Sequence, residues 1–487
     1  MSGVSPLTRV GPRLSPDRGR VLARLFVPGE ELPGHHSRAT TVLQRVQDLT
    51  DAEVATALVD LHARFERRHR DLSDIFQRHF ELMAHRLAGD SPSAERQLLI
   101  GAYFTSEYAP EGAALTNPSM VEHPDQTGLA PGEKRFVMGV RSVGEGHISS
   151  IEFRTGVAGP HGAICVDDPG PYLDMGQPLP TRYGQASFRT LVVERGIDDE
   201  TASYVLDALG DPFLRTELDA AIAGINPRIL RRTQARDTIQ QLAQIAFDNY
   251  VVSFPAASRI SDRVLYPTGP SESNGMEDAR LTRLVEDDGT VRYCATYTAY
   301  DGRNVAPQLL ETPDFLTFRA SQLSGRAAKN KGLALFPRKV GGQYLALSRH
   351  DRERSSITTS GDLQRWGDPV TLDTPLRPWE LIQAGNCGPP VETERGWLVL
   401  THGVGAMRTY GLGALLLDLD DPHKVLGATE LPILLPDESE QNGYVPNVVY
   451  SCGGMAHGDQ VILPYGFGDQ QISFARIDLP RLYDLLS

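Results

Sequence analysis

Residues 274–281 read Asn-Gly-Met-Glu-Asp-Ala-Arg-Leu, with two carboxylates in tandem, Glu277 and Asp278, and Arg280 two positions on. A carboxyl group in an enclosed site can give or take a proton, and a guanidinium beside it tunes that acidity. The run that follows, YCATYTAY at 293–300, is strand-like. Neighbouring side chains on an extended segment point to opposite faces. The expectation is therefore that one acid faces a given pocket while the other pairs with Arg280 or backbone. Read alone, the eight residues equally suit a solvated turn before a strand.

A second stretch, 329–354 (KNKGLALFPRKVGGQYLALSRHDRER), carries seven Lys or Arg against two acids, in a chain of net charge −14. Its runs LALFP and QYLALSR predict a hairpin about Gly341-Gly342 that brings Lys331 and Arg349 toward one end of a sheet. Convergent Lys and Arg suit a small oxyanion, because the guanidinium fork matches phosphate oxygens. A solvated basic hairpin is the alternative. His402 ends the strand-like run GWLVL before a glycine, and Asp469 lies in the turn of YGFGD. Each suits a pocket, and each equally suits a hydrogen-bonded strand end or turn.

No GxxxxGK[ST], HExxH, CxxC or GxSxG motif occurs, and the glycines of FVMGVRSVGEGH lack the following helix that a dinucleotide site needs. Four scattered cysteines predict reduced thiols in a cytoplasmic protein and no metal site. Net charge −14 argues against nucleic acid as a partner, and no apolar run is long enough for a membrane span.

The elements that must position these residues fall into two kinds. Residues 51–87 lack Gly and Pro and have helical spacing, predicting one long or two shorter amphipathic helices; 197–250 is also helical. The remainder is short β-rich runs broken by Gly, Pro and Asp, such as RFVMGVRS, HISSIEFRTG, GALLLDLDDP and QISFARIDL. Thr312-Pro-Asp314-Phe-Leu-Thr-Phe318 and Ser360-Gly-Asp362-Leu-Gln-Arg-Trp366 share an Asp with an aromatic four residues later, 48 residues apart. A period near 50 with four strands per unit is the mark of a propeller blade. The expectation is an all-β core, a five-bladed β-propeller over 101–487, with an N-terminal helical extension over 1–100 and a helical insertion at about 190–250. The N-terminal helices would serve packing or contacts in a homo-oligomer.

Taken together, Asn117-Pro-Ser119, GVRSVGEGHISSI with Arg141, GMEDARL, NKGLALFPRKVGGQYLALSR, GNCGPPVETERGWLVLTHGV, GLGALLLDLDDP, YVPNVVYSCG and YGFGD resemble glycoside hydrolase family 130. This is the family of inverting phosphorylases and hydrolases of β-mannosides, and its fold is a five-bladed propeller. The resemblance implies that Asp278 is the catalytic acid, that Asn117, Arg141 and Asp469 bind the sugar, and that Lys331, Arg349 and His402 bind phosphate. Ala279 stands where the family's motif has proline, Thr401 where Tyr commonly precedes the histidine, and Ser348 where His commonly precedes the arginine.

The implied reaction is phosphorolysis of a β-mannoside to α-mannose 1-phosphate, with inorganic phosphate as co-substrate and no cofactor. An inverting hydrolase needs a second carboxylate to activate water, whereas phosphate is already an anionic nucleophile. Asp278 would need a raised pKa to act as an acid, its proton passing in the family through the 3-hydroxyl of the mannosyl unit. The alternatives are a β-mannoside hydrolase using Glu392, Glu394 or Glu440 as base, and a non-catalytic glycan-binding propeller.

Overall fold

Every apolar-rich run named above forms a strand, and most of these strands are buried on both faces. The computed structural model of the chain describes residues 5–29, 37–87 and 91–486. Gly396–Val404 (GWLVLTHGV), for example, is buried at every position. Continuous apolar runs of this kind replace the usual alternation when a sheet is covered on both sides.

The strands associate as antiparallel arrays in chain order. Ala114–Glu122, Lys134–Val143 and Ser149–Ala158 form the first, extended by Ile164–Val166. Gly275–Val285, Val291–Tyr300, Val305–Thr312 and Thr317–Gln322 form a meander. Ala334–Leu335, Tyr344–Ser348, Ser355–Ser360 and Val370–Asp373 make the third array. Gln383–Asn386, Gly396–Val404, Tyr410–Leu417 and Val425–Ala428 make the next. In the last, Val449–Tyr450, Gln460–Phe467 and Gln471–Asp478 are joined by Leu7–Leu14 from the other end of the chain.

Each array packs on the next. Val137 and Phe153 meet Leu281 and Tyr297. Leu284 and Leu309 meet Leu335 and Ala346. Phe336 and Leu345 meet Trp397 and Leu415. Leu398 and Leu412 meet Val461 and Leu463. Phe474 and Ile462 return to Phe136 and Met138 of the first array. Trp397 is fully buried, and truncating so large a side chain costs about 3–5 kcal/mol.

The two Asp turns are structurally equivalent. Asp314 accepts from the amides of Leu316 and Thr317, Asp362 from those of Gln364 and Arg365, and the residue after each Asp is left-handed. Each is a side-chain-closed turn placed between the third and fourth strands of its array.

The helical region near 190–250 consists of Gln185–Glu194, Glu200–Asp207, Arg215–Ala223, Pro227–Leu230 and Ala235–Phe247. These helices bury their own core of Phe188, Val205, Phe213, Leu218 and Leu242, and they belong to the same compact unit as the sheets. That unit comprises 1–16, 113–169 and 175–487.

A second unit comprises 17–112 and 170–174. Here the 51–87 stretch is two helices, Asp51–Phe65 and Leu72–Met83, with Arg38–Gln47 and Ala94–Tyr103 completing a core around Leu43, Val54, Phe80 and Leu99. Thr50 opens the longer helix with a reciprocal cap to Glu53. The strand Leu7–Leu14 was not foreseen within the N-terminal extension, because Gly11-Pro12 interrupts its apolar pattern. Among the described residues no helix is long and apolar enough to cross a membrane.

Candidate active site

Asp278 sits in a β-bulge. The pairing of Gly275–Val285 with its neighbour runs Glu277↔Thr298 and then Arg280↔Thr296, so Asp278 and Ala279 together oppose one residue. Asp278 takes φ +56°, a left-handed conformation that Asp tolerates better than most residues. The extra residue breaks the period of two and turns both acids toward the same group of side chains. This corrects the expectation of opposite faces. Glu277 pairs with Arg141 at 2.5 Å and with the ammonium of Lys331. Asp278 accepts from the Asn117 amide and lies 3.7 Å from Arg141. Arg280 does not pair with Glu277. It donates to the Asp278 carbonyl at 3.3 Å and to the Tyr450 hydroxyl at 2.9 Å.

The predicted hairpin forms, with Gly341 and Gly342 both at positive φ between Val340 and Gln343. It places Lys331 and Arg349 at the same end of the sheet. The Arg349 guanidinium lies 2.9 Å from Nε2 of His402, and the side-chain amide of Gln383 lies 3.2 Å from that same nitrogen. Two donors aimed at Nε2 require it to be the acceptor, which leaves the ring proton on Nδ1. Burial, with the charges of Arg349 and Arg280, holds the His402 pKa well below its ordinary value. His402 is thus held neutral in contact with Arg349. Tyr450 meets its ring edge-on at 4.9 Å. Gly385 is required between them, since a Cβ there would lie 2.7 Å from His402 and 3.0 Å from Arg349.

Asp469 occupies the turn between Gln460–Phe467 and Gln471–Asp478, with φ +52°, and accepts from the Thr116 hydroxyl at 3.3 Å. Burial raises its pKa above the usual carboxylate value. The seven residues that the family resemblance assigns to the site therefore gather at one place together with Glu277 and Arg280 of the same motif, and two more join them: Gln383 and Tyr450. Asn386 is a further neighbour. It is 1% exposed, neither atom of its amide has a partner, and its oxygen borders Gly332, which also abuts Arg349. Nothing in the local sequence marks Gln383, Asn386 or Tyr450, because each reaches the site through the pairing of strands remote in the chain.

The electrostatics follow from these contacts. Arg141, Arg280, Lys331 and Arg349 outnumber Glu277, Asp278 and Asp469 by one charge, a local reversal in a chain of net charge −14. Burial alone would raise the pKa of Asp278. The charges of Lys331, Arg141 and Arg280, with the Asn117 hydrogen bond, outweigh it and hold the carboxyl at about 2. The expected raised pKa is therefore not found; these charges depress it. The surplus positive charge and the unsatisfied amide of Asn386 make the site suited to an oxyanion.

None of the three glutamates considered as a hydrolytic base stands free in this site. Glu392 pairs with Arg338 at 2.6 Å, and its register partner Trp397 is five residues from His402, roughly 17 Å along an extended strand. Glu440 is buried and taken up by Arg9 at 2.7 Å and by the Tyr465 hydroxyl at 2.6 Å. Glu394 lies exposed in the loop beyond Glu392. Among the described residues no group of three or more His, Cys, Asp or Glu is placed to hold a metal ion.

Residues 245–487 match the family model of glycoside hydrolase family 130, described as β-1,4-mannooligosaccharide phosphorylase. A β-1,2-mannobiose phosphorylase of Listeria innocua is 36% identical over 220 residues, 43% of this chain and 59% of that enzyme. A 1,2-β-oligomannan phosphorylase of a Thermoanaerobacter species is 32% identical over 226 residues, 45% of this chain and 74% of that enzyme. The solved structure of the Listeria enzyme with β-1,2-mannobiose aligns at a TM-score of 0.46 and 22% identity, over 77% of this chain and 92% of its own. The segment matched by the family model holds Asp278, Lys331, Arg349, His402 and Asp469, and the chain belongs to glycoside hydrolase family 130.

Proposed function

We propose that the chain is an inverting β-mannoside phosphorylase built on a five-bladed β-propeller. The propeller reading is supported by the order of the core clusters, in which each four-stranded array packs on its successor and the last on the first. The pairing of Leu7–Leu14 with Gln471–Asp478 would then close the ring between chain ends.

The observation that carries the chemical reading is the placement of one carboxylate, Asp278, beside a cluster whose cations exceed its carboxylates by one charge. Asn117, Arg141 and Asp469 hold the mannosyl unit. Lys331 and Arg349 hold phosphate, with His402 fixing the guanidinium. Phosphate needs no base to attack the anomeric carbon. What it needs is placement in line with the departing bond and relief of its negative charge as it approaches. Asp278 supplies the proton for the leaving oxygen, through the sugar's own hydroxyl. Its low pKa is no obstacle. A bound phosphate anion offsets Lys331 and Arg349, so the carboxyl's affinity for a proton rises as the nucleophile arrives.

The hydrolase reading loses its base with Glu392 and Glu440 tied into ion pairs elsewhere. The two β-1,2-specific relatives make β-1,2-mannobiose the first substrate to try, ahead of the β-1,4 isomer. The test is to incubate the protein with each isomer, with and without phosphate, and to identify the products. Phosphate-dependent release of α-mannose 1-phosphate is expected. Free mannose released at a rate independent of phosphate would overturn the proposal.

A further inference from the structure

Two loops at the site share one construction. Arg141-Ser-Val-Gly144 leads into Glu145-Gly146-His147-Ile148, and His402-Gly-Val-Gly405 leads into Ala406-Met407-Arg408-Thr409. In each, the amide of the glycine donates to the carbonyl four residues on, at 3.1 and 3.0 Å. In each, two successive residues are left-handed: Gly146 and His147 at φ +71° and +58°, Met407 and Arg408 at +55° and +54°. Both turns therefore begin three residues after a site residue, and each holds an exposed left-handed residue, His147 in one and Met407 in the other. Non-glycine residues in this conformation cost of order 1 kcal/mol or more and are retained where the surroundings require them, often at ligand clamps.

The two turns differ in what they present. Met407 is 86% exposed. The His147 ring instead lies against Tyr444, with centroids 5.7 Å apart and planes at 38°, and its Nδ1 is 3.1 Å from the tyrosine hydroxyl. Tyr444 is itself 55% exposed, so this pair belongs to no core. Its loop is tied to the site at both ends. Val445 donates to Gly468, the residue before Asp469, at 2.8 Å, and Tyr410 donates to Asn447 at 3.0 Å. The aromatic pair thus spans from the Arg141 loop to the Asp469 turn. This edge holds the sugar ligands rather than Lys331 and Arg349. Inversion places the leaving group on the face opposite the nucleophile.

We propose that His147 and Tyr444 form the acceptor side of the site, receiving the hexopyranose that leaves in phosphorolysis and attacks in synthesis. This rests on the phosphorylase reading above. Exposed ring faces suit the apolar C–H face of a pyranose, while the hydroxyl and ring nitrogen suit its equatorial hydroxyls. The turn at 144–148 is the shared scaffold, and His147 is the side chain that adapts it to a sugar.

The test runs synthesis from α-mannose 1-phosphate with mannose as acceptor, for wild type, His147→Gly, Tyr444→Ala, Tyr444→Phe and the control Met407→Gly. Glycine suits the left-handed position, so His147→Gly should keep its melting temperature. With Tyr444→Ala, it should raise the acceptor KM about tenfold, the scale of one to two lost polar and stacking contacts. The KM for mannose 1-phosphate should stay within twofold, as should both constants in Met407→Gly. Tyr444→Phe should fall between wild type and Tyr444→Ala. Folded His147→Gly and Tyr444→Ala proteins with an acceptor KM within twofold of wild type would overturn the proposal. A wild type inert toward mannose 1-phosphate would instead count against the phosphorylase reading. Calorimetric titration with β-1,2-mannobiose then decides, because undiminished affinity in both variants sinks the acceptor role on its own.

Discussion

Asn117 and Asp278 hold equivalent places in adjoining strands, and the side-chain amide of the first donates to the carboxylate of the second. Ala114–Glu122 skips a residue between Thr116↔Arg141 and Ser119↔Gly139, as Gly275–Val285 does between Glu277 and Arg280. Asn117 has φ +48° and Asp278 φ +56°. Pro118 and Ala279 are the second bulge residues, and Ser119 accepts from the Leu281 amide at 2.9 Å, so the two bulges are locked together. The acid of this site is thus held by a repeated backbone irregularity and not by a flexible loop.

That equivalence predicts the effect of Ala279→Pro. Pro118 already follows a left-handed residue at the matching position, so the ring can be accommodated there. Restricting the unfolded chain should stabilise the protein by about 0.4–1 kcal/mol. Thermal unfolding should show a small rise in Tm with activity retained; a fall would mean that the bulges are not interchangeable.

Asp278→Asn should fold normally and lose about 10²–10⁴-fold in kcat, since it removes the titratable proton at nearly constant volume. Near wild-type phosphorolysis of an unactivated mannoside by this variant would remove Asp278 from the chemistry.

The same residue should shape acid stability. Its folded pKa is depressed, to about 2, below the unfolded value near 4. The ionised carboxylate therefore contributes stability that is present above about pH 4 and lost as pH falls toward 2. The integrated effect is about 2 kcal/mol. Denaturant titrations at pH 6, 4 and 2.5 should show a steeper loss for wild type than for Asp278→Asn, with parallel curves as the contrary result.

Arg349→Ala should raise the KM for phosphate roughly ten- to a hundredfold, as expected for loss of a charge-assisted bond of about 1.5–3 kcal/mol. The mannoside KM should change much less. Arg349→Lys should rescue only in part, because an ammonium keeps the charge without the planar fork. Initial rates against phosphate at saturating mannoside decide it.

Gly385→Ala tests the packing behind that arginine. An added Cβ would press on both His402 and Arg349. The expectation is a phosphate KM raised about tenfold or more with the fold intact, since misplacing a charged ligand group by a fraction of an ångström weakens its contacts steeply. An unaltered KM would show that the pair can shift together at no functional cost.

Most of the strands and helices, and the charged residues of the site, are legible in local sequence. Buried strands announce themselves as β-rich runs, the two Asp turns close through their own side chains, and Lys331 and Arg349 converge because Gly341-Gly342 dictates a tight hairpin. These are local effects, complete within a few residues. What those residues are to one another depends on tertiary packing. Strict alternation misassigned Glu277 because a bulge depends on the partner strand as well as the strand that carries it. The neutrality of His402 comes from burial and from the charges of Arg349 and Arg280, which reach it from segments remote in the chain. Glu440 looked available until Arg9, 431 residues away in the chain, took it into a buried ion pair. Charge state and availability depend on burial and on neighbours remote in the chain, and both arise only when the sheets close on one another.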